Sequence, residues 1–144
     1  MEETQELSLN REAAKIEIVT PPTAFADLDP EARLAIECAS EKKALDMVAL
    51  DLRDIASFTE YFIIASGTNQ RQVQAIADEI NEQLKKQLGI KPVRIEGYSQ
   101  AEWVLLDYGD FIFHVFDQKA RDLFDLEKLW LDARRVEIPD DLKG

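Results

Sequence analysis

Trp103-Val104-Leu105-Leu106-Asp107-Tyr108-Gly109-Asp110-Phe111-Ile112-Phe113-His114-Val115-Phe116 reads as two apolar strands joined by a polar turn. Gly109 supplies the positive φ that a two-residue hairpin loop needs, and the flanking runs are short and rich in aromatic and β-branched residues. The spacing predicts an antiparallel pair with Tyr108 and Gly109 at the tip. In that register Asp107 faces Asp110, Leu105 faces Ile112 and Trp103 faces His114, all on one side because side chains alternate along a strand. Two opposed carboxylates destabilise a ladder. Either both aspartates simply flank a solvated turn, where Asp is common, or a cationic group from outside meets them. The surroundings sharpen the second alternative: between Ile95 and Gln118 there is no Lys or Arg, while Glu96, Glu102, Asp107, Asp110 and Asp117 fall in the same stretch.

Working outward, Pro92-Val93-Arg94-Ile95 predicts a short strand, placed at a sheet edge by Pro92. Asn69-Gln70-Arg71-Gln72 has the form of a helix cap. The helix it opens carries Val73, Ile76, Ala77, Ile80, Leu84 and Leu88 on one stripe and stops at Gly89. Residues 61–65 and 47–52 read as buried strands, with a polar connector over 53–60. Asp29-Pro30-Glu31 begins a helix that runs to about residue 44. Residues 118–135 are helical in pattern, divided by a cap at Asp125, with Leu126, Leu129, Trp130 and Ala133 facing inward. Residues 1–28, with Pro21-Pro22, read as a loosely ordered acidic leader and 137–144 as a tail, which leaves 29–136 as the domain. The element order predicts one α/β domain, a mixed sheet of about five strands covered by helices, rather than a repeated βαβ winding.

Composition narrows the function. Of 144 residues 46% are hydrophobic, and 29 acidic against 17 basic side chains give a formal charge of −12. That is the wrong sign for gripping phosphate backbones, so direct nucleic-acid binding is not expected and a basic protein partner is favoured. A single Cys38 beside a single His114 excludes an internal disulfide and a Cys/His zinc site. No apolar run reaches the ~20 residues of a membrane span, and Met1-Glu2-Glu3 lacks the basic start of a signal peptide. The cytoplasm is the default.

Candidate chemistry is sparse. Ser66-Gly67-Thr68-Asn69 sits where a strand enters a helix, a place that can hold an anion, yet it lacks the spacing of either phosphate-binding fingerprint. Asp51 with Asp54, or Asp107 with Asp110, are conceivable divalent-metal pairs, which keeps a metal-dependent nucleotidyl or phosphoryl transferase as the alternative function. His114 has no nucleophile linked to it in sequence, and Cys38 reads as a small core residue. Trp103 shares its face with acids, the setting of an interface anchor.

These motifs, taken in order, resemble the ribosomal silencing factor or Iojap family: Ala49-Leu50-Asp51, Thr59 through Thr68, Arg71-Gln72-Val73, Glu96-Gly97, Glu102 through Asp110, His114-Val115-Phe116 and Asp125 through Trp130. Glu60 stands where the family commonly has Asp, and Phe124 where it commonly has Tyr. The resemblance implies a mixed-sheet domain distantly like a nucleotidyltransferase but without its catalytic carboxylates, hence no enzyme activity and no cofactor. It also implies binding to the large ribosomal subunit through ribosomal protein L14, a steric block to small-subunit joining when nutrients are scarce, a part in late large-subunit biogenesis, and a homodimer when free. Carried over by motif, the contact residues are Trp103, Leu105, Asp107, Tyr108 and Asp110, with Glu102 and His114 beside them.

Overall fold

The computed structural model describes residues 21–144. They form a seven-stranded sheet in the order β1-β7-β2-β3-β6-β5-β4. The strands are β1 (Thr23–Ala24), β2 (Leu45–Asp51), β3 (Tyr61–Gly67), β4 (Arg94–Glu96), β5 (Trp103–Asp107), β6 (Phe111–Asp117) and β7 (Arg134–Glu137). The helices are α1 (Pro30–Glu41), α2 (Gln70–Leu88), α3 (Gln118–Phe124) and the single turn α4 (Asp140–Lys143), with 3₁₀ turns at Phe25–Asp27 and Leu126–Trp130.

The parallel pair β3 and β6 forms the spine, in register from Tyr61↔Phe111 to Gly67↔Asp117. Both strands are apolar at successive positions because both faces are covered at the centre of the sheet. Alternation still sorts them. Tyr61, Ile63, Ala65, Phe111, Phe113 and Val115 join α1 and α2 in the larger core. Phe62, Ile64, Ile112 and Phe116 join Leu50, Leu52 and Ala120 in a smaller one on the other face. The ends of α2 are set as its sequence requires. Asn69 Oδ1 accepts from the Gln72 amide at 2.8 Å, and Gly89 closes the helix in the left-handed conformation at φ +68. Gly67 is small because a Cβ there would lie 3.0 Å from the Val73 side chain.

Three features differ from the sequence-based expectation. The sheet has seven strands rather than about five, the additions being β1 and β7. Residues 118–135 divide at Asp125 as expected, but only the first of the two segments is an α-helix. Asp125 takes a left-handed φ of +45 and ends α3, a 3₁₀ turn follows, and β7 then pairs with β2 through Leu50↔Arg135. The tighter winding turns Leu129 outward, 76% exposed, while Leu126, Trp130 and Ala133 still pack on the smaller core. Finally, β1 pairs with β7 and Leu28 is buried, so residues 23–28 lie within the fold, as does Ile138 in the expected tail. The remainder of the expected leader, 1–20, lies outside the described residues. At the opposite edge β4 is three residues long, exposed throughout, and bounded by Pro92 and Gly97.

Candidate functional site

The β5–β6 hairpin pairs Trp103↔Phe116, Leu105↔His114 and Asp107↔Ile112, two residues away from the expected register. Its tip is Gly109-Asp110, closed by the Tyr108 amide donating to the Phe111 carbonyl at 2.9 Å. Gly109, at φ +86, takes the first central position, as a type II′ loop requires. A slip of two preserves side-chain parity. Trp103, Leu105 and Asp107 therefore share a face with Ile112, His114 and Phe116, as expected, but Asp107 and Asp110 do not oppose each other.

Asp107 has its cation within the chain. Its Oδ2 lies 3.3 Å from Nε of Arg94, its cross-strand neighbour on β4, and its Oδ1 accepts from the Gly109 amide at 2.8 Å. Arg94 is the residue immediately before the base-free stretch. Asp110 is exposed at the tip, and Glu102 is exposed at the far end of the hairpin. Tyr108 points to the other face, where its ring stacks on Phe111 at 4.9 Å and burial pushes its hydroxyl pKa up. His114 is only 2% exposed, so it supports the surface from beneath. Of the seven expected contact residues, three share the open face, two mark its rim, and two are built into the structure behind it.

Around Trp103 lies an aromatic band. The indole Nε1–H donates to His114 Nδ1 at 3.0 Å. Its ring meets Phe116 at 4.9 Å and Phe124 at 5.0 Å. The band continues from His114 to Phe62 at 4.6 Å, then to Trp130 at 5.5 Å and Phe58 at 6.1 Å. Trp103 and Leu105 are half-buried on this face, with Phe124 (49% exposed) and Phe58 (58% exposed) farther along the band. Phe58 and Phe124 were not among the expected contacts. The one sequence signal for Phe124 was its departure from the Tyr commonly found before Asp-Leu-Glu. Gly97 fixes the approach to Trp103, since a Cβ there would fall 2.1 Å from the Trp103 carbonyl oxygen.

The groups a transferase would use are engaged elsewhere. Burial pushes the Asp51 carboxyl up, but hydrogen bonds from Arg53 and Thr23 outweigh it and hold the group at about 2. Asp54 pairs with Arg134 at 3.1 Å. Ser66 accepts from Arg121 at 2.9 Å, and Arg121 is also bound to Glu127. The hollow of about 600 Å³ beside them adds Asp46, Asp122 and Asp125, a lining of the wrong sign for phosphate. Burial, with Glu79, Glu37 and Glu41 nearby, raises the Cys38 thiol to about 11, too high for a thiolate nucleophile at neutral pH.

Fold and face together define a mixed-sheet α/β domain whose chief surface feature is an open aromatic face rather than an enclosed cleft. The family described as "Ribosomal silencing factor during starvation" matches residues 26–143, and the chain belongs to that family of ribosome-associated translation regulators. It is similar to the ribosomal silencing factor RsfS of Halalkalibacterium halodurans, with 44% identity over 106 residues, 74% of this chain and 90% of that protein. A crystal structure from Chromobacterium violaceum superposes with a TM-score of 0.68 at 35% identity, covering 76% of this chain and 88% of that one. A mouse relative, "Mitochondrial assembly of ribosomal large subunit protein 1", is 27% identical over 67% of this chain and 43% of its own length.

Proposed function

We propose that this protein docks on the large ribosomal subunit through the open face of its sheet, contacts ribosomal protein L14, and blocks joining of the small subunit by occupying space. Translation falls as a result, in the cytoplasm and when nutrients are scarce, and the same docking serves late large-subunit biogenesis. The observation that carries this reading is the half-buried pair Trp103 and Leu105 on a strand that the smaller layer leaves uncovered. An indole flanked by aliphatic and aromatic surface is the usual form of an interface anchor. Asp110 and Glu102 at the rim, on a chain of net charge −12, suit a basic protein surface and speed its encounter. Asp107 contributes through its Arg94 pair, and Tyr108 and His114 hold the face from behind. When free, the protein pairs with a second copy, which sedimentation at several concentrations tests. The decisive experiment mixes purified subunits with and without the protein on sucrose gradients. Added protein is expected to shift joined ribosomes to free subunits, and unchanged profiles at saturating protein would sink the proposal.

A further inference from the structure

His114 is an expensive choice for its position. It is 2% exposed in an apolar layer, its Nε2 has no hydrogen-bond partner among the described residues, and burial pushes its pKa down to about 4, so the ring is neutral. A buried polar atom without a partner is a cost that Leu or Phe would remove. What imidazole supplies and those residues do not is an acceptor. An indole nitrogen only donates, so at 3.0 Å the Trp103 Nε1–H must be bound by an unprotonated Nδ1, which puts the imidazole proton on Nε2. The imidazole is itself held against Phe62 in a T-shaped contact at 4.6 Å and 73°. Phe116 and Phe124 flank the indole, and its polar atom is tied by His114.

We infer that His114 is a positioning residue: by accepting the indole proton of Trp103 it fixes that ring in its binding orientation and consumes its sole donor, so the partner meets preordered apolar surface. This rests on the docking role of Trp103 argued above. A side chain already immobilised loses less freedom on binding. The same bond spares the indole from leaving a donor unsatisfied beneath an apolar partner surface.

Two substitutions isolate the acceptor. Asn places an amide oxygen near the Nδ1 position, whereas Leu has the same branching and size without an acceptor. His114→Leu is expected to bind purified large ribosomal subunits about five- to tenfold more weakly than wild type, and His114→Asn to recover most of that loss. In the free protein, the Trp103 indole proton should exchange slowly with solvent in wild type and His114→Asn and rapidly in His114→Leu, with the Trp130 indole as internal comparison. Equal affinity of the Asn and Leu variants overturns the positioning role. So does rapid exchange of the Trp103 indole proton in wild type, a measurement that needs no variant to fold. Trp103→Ala separates the two levels. If it binds subunits as wild type does, the docking reading falls. If it binds weakly while His114→Leu binds normally, only the positioning role falls.

Discussion

The two faces of the sheet are built from the same strands and finished differently. On one, Ile63, Phe113, Val104 and Leu106 lie under the long helices α1 and α2, fully buried, and the layer is closed. On the other, a seven-residue helix and a 3₁₀ turn cover β2, β3 and β6, and β5 is left with Trp103 and Leu105 half-buried. The first face supplies the larger buried core, while the second buries Leu50, Leu52, Phe62, Ile64 and Phe116 at its centre and leaves apolar surface open along β5. If the open face is the docking surface proposed above, stability and recognition should be separable in this chain.

The largest expected effect tests the closed face. Phe113→Ala removes a fully buried ring, and should lower unfolding free energy by about 4 kcal/mol in urea titration. The molecules that remain folded should bind large subunits normally, and weakened binding per folded molecule would break the separation.

A second test uses pH. His114 takes up a proton near pH 6.5 in the unfolded chain but only at about 4 when folded, because burial opposes the charge. Between those values the unfolded state holds more protons. This contribution to stability is therefore complete above pH 6.5 and declines as pH falls to about 4, by about 3 kcal/mol in total. The decline should be missing from His114→Asn, and identical urea midpoints against pH for the two proteins would contradict it. Asp51 acts in a lower window. Its folded pKa is depressed to about 2, so its contribution is present above about pH 4 and lost as pH falls through 2.

Next in size is Trp103→Ala on the open face. Calorimetry with isolated ribosomal protein L14 should show a loss of about 2 kcal/mol in affinity, the level of an interface anchor, and equal titration curves for mutant and wild type would remove Trp103 from the contact. Smallest is Asp110→Ala at the rim, expected to cost about 0.5 kcal/mol of affinity at low salt and nothing measurable at high salt. A loss that survives high salt would mean Asp110 is buried in the complex.

Much of this arrangement could be read from the chain because it is local. The Asn69 and Gly89 caps, the stripe of α2, and the strands β3 and β6 follow from spacing over a few residues. The hairpin was placed correctly and its register was not, since either Tyr108-Gly109 or Gly109-Asp110 satisfies a two-residue loop containing one glycine. A slip of two conserves parity, so the face survived the error while the Asp107–Asp110 pair did not. Arg94 meeting Asp107 was invisible because it depends on β4 lying beside β5, a contact between segments thirteen residues apart. β7 was hidden by composition: Arg134-Arg135-Val136-Glu137 carries one apolar residue, and only its pairing to β2 makes it a strand. His114 entered the expected contacts through the family motif, and its parity does place it on that face. Parity places a side chain on a face without revealing whether neighbours close over it.

The edge strand β4 sits beside the open face and is three residues long, with a proline two positions before it and a glycine directly after. So short and interrupted a backbone offers an incoming chain few amide and carbonyl groups to zip onto. A partner docking on this face as proposed would therefore meet side chains rather than extend the sheet. The same brevity guards the open aromatic face at β5 against sheet extension between molecules.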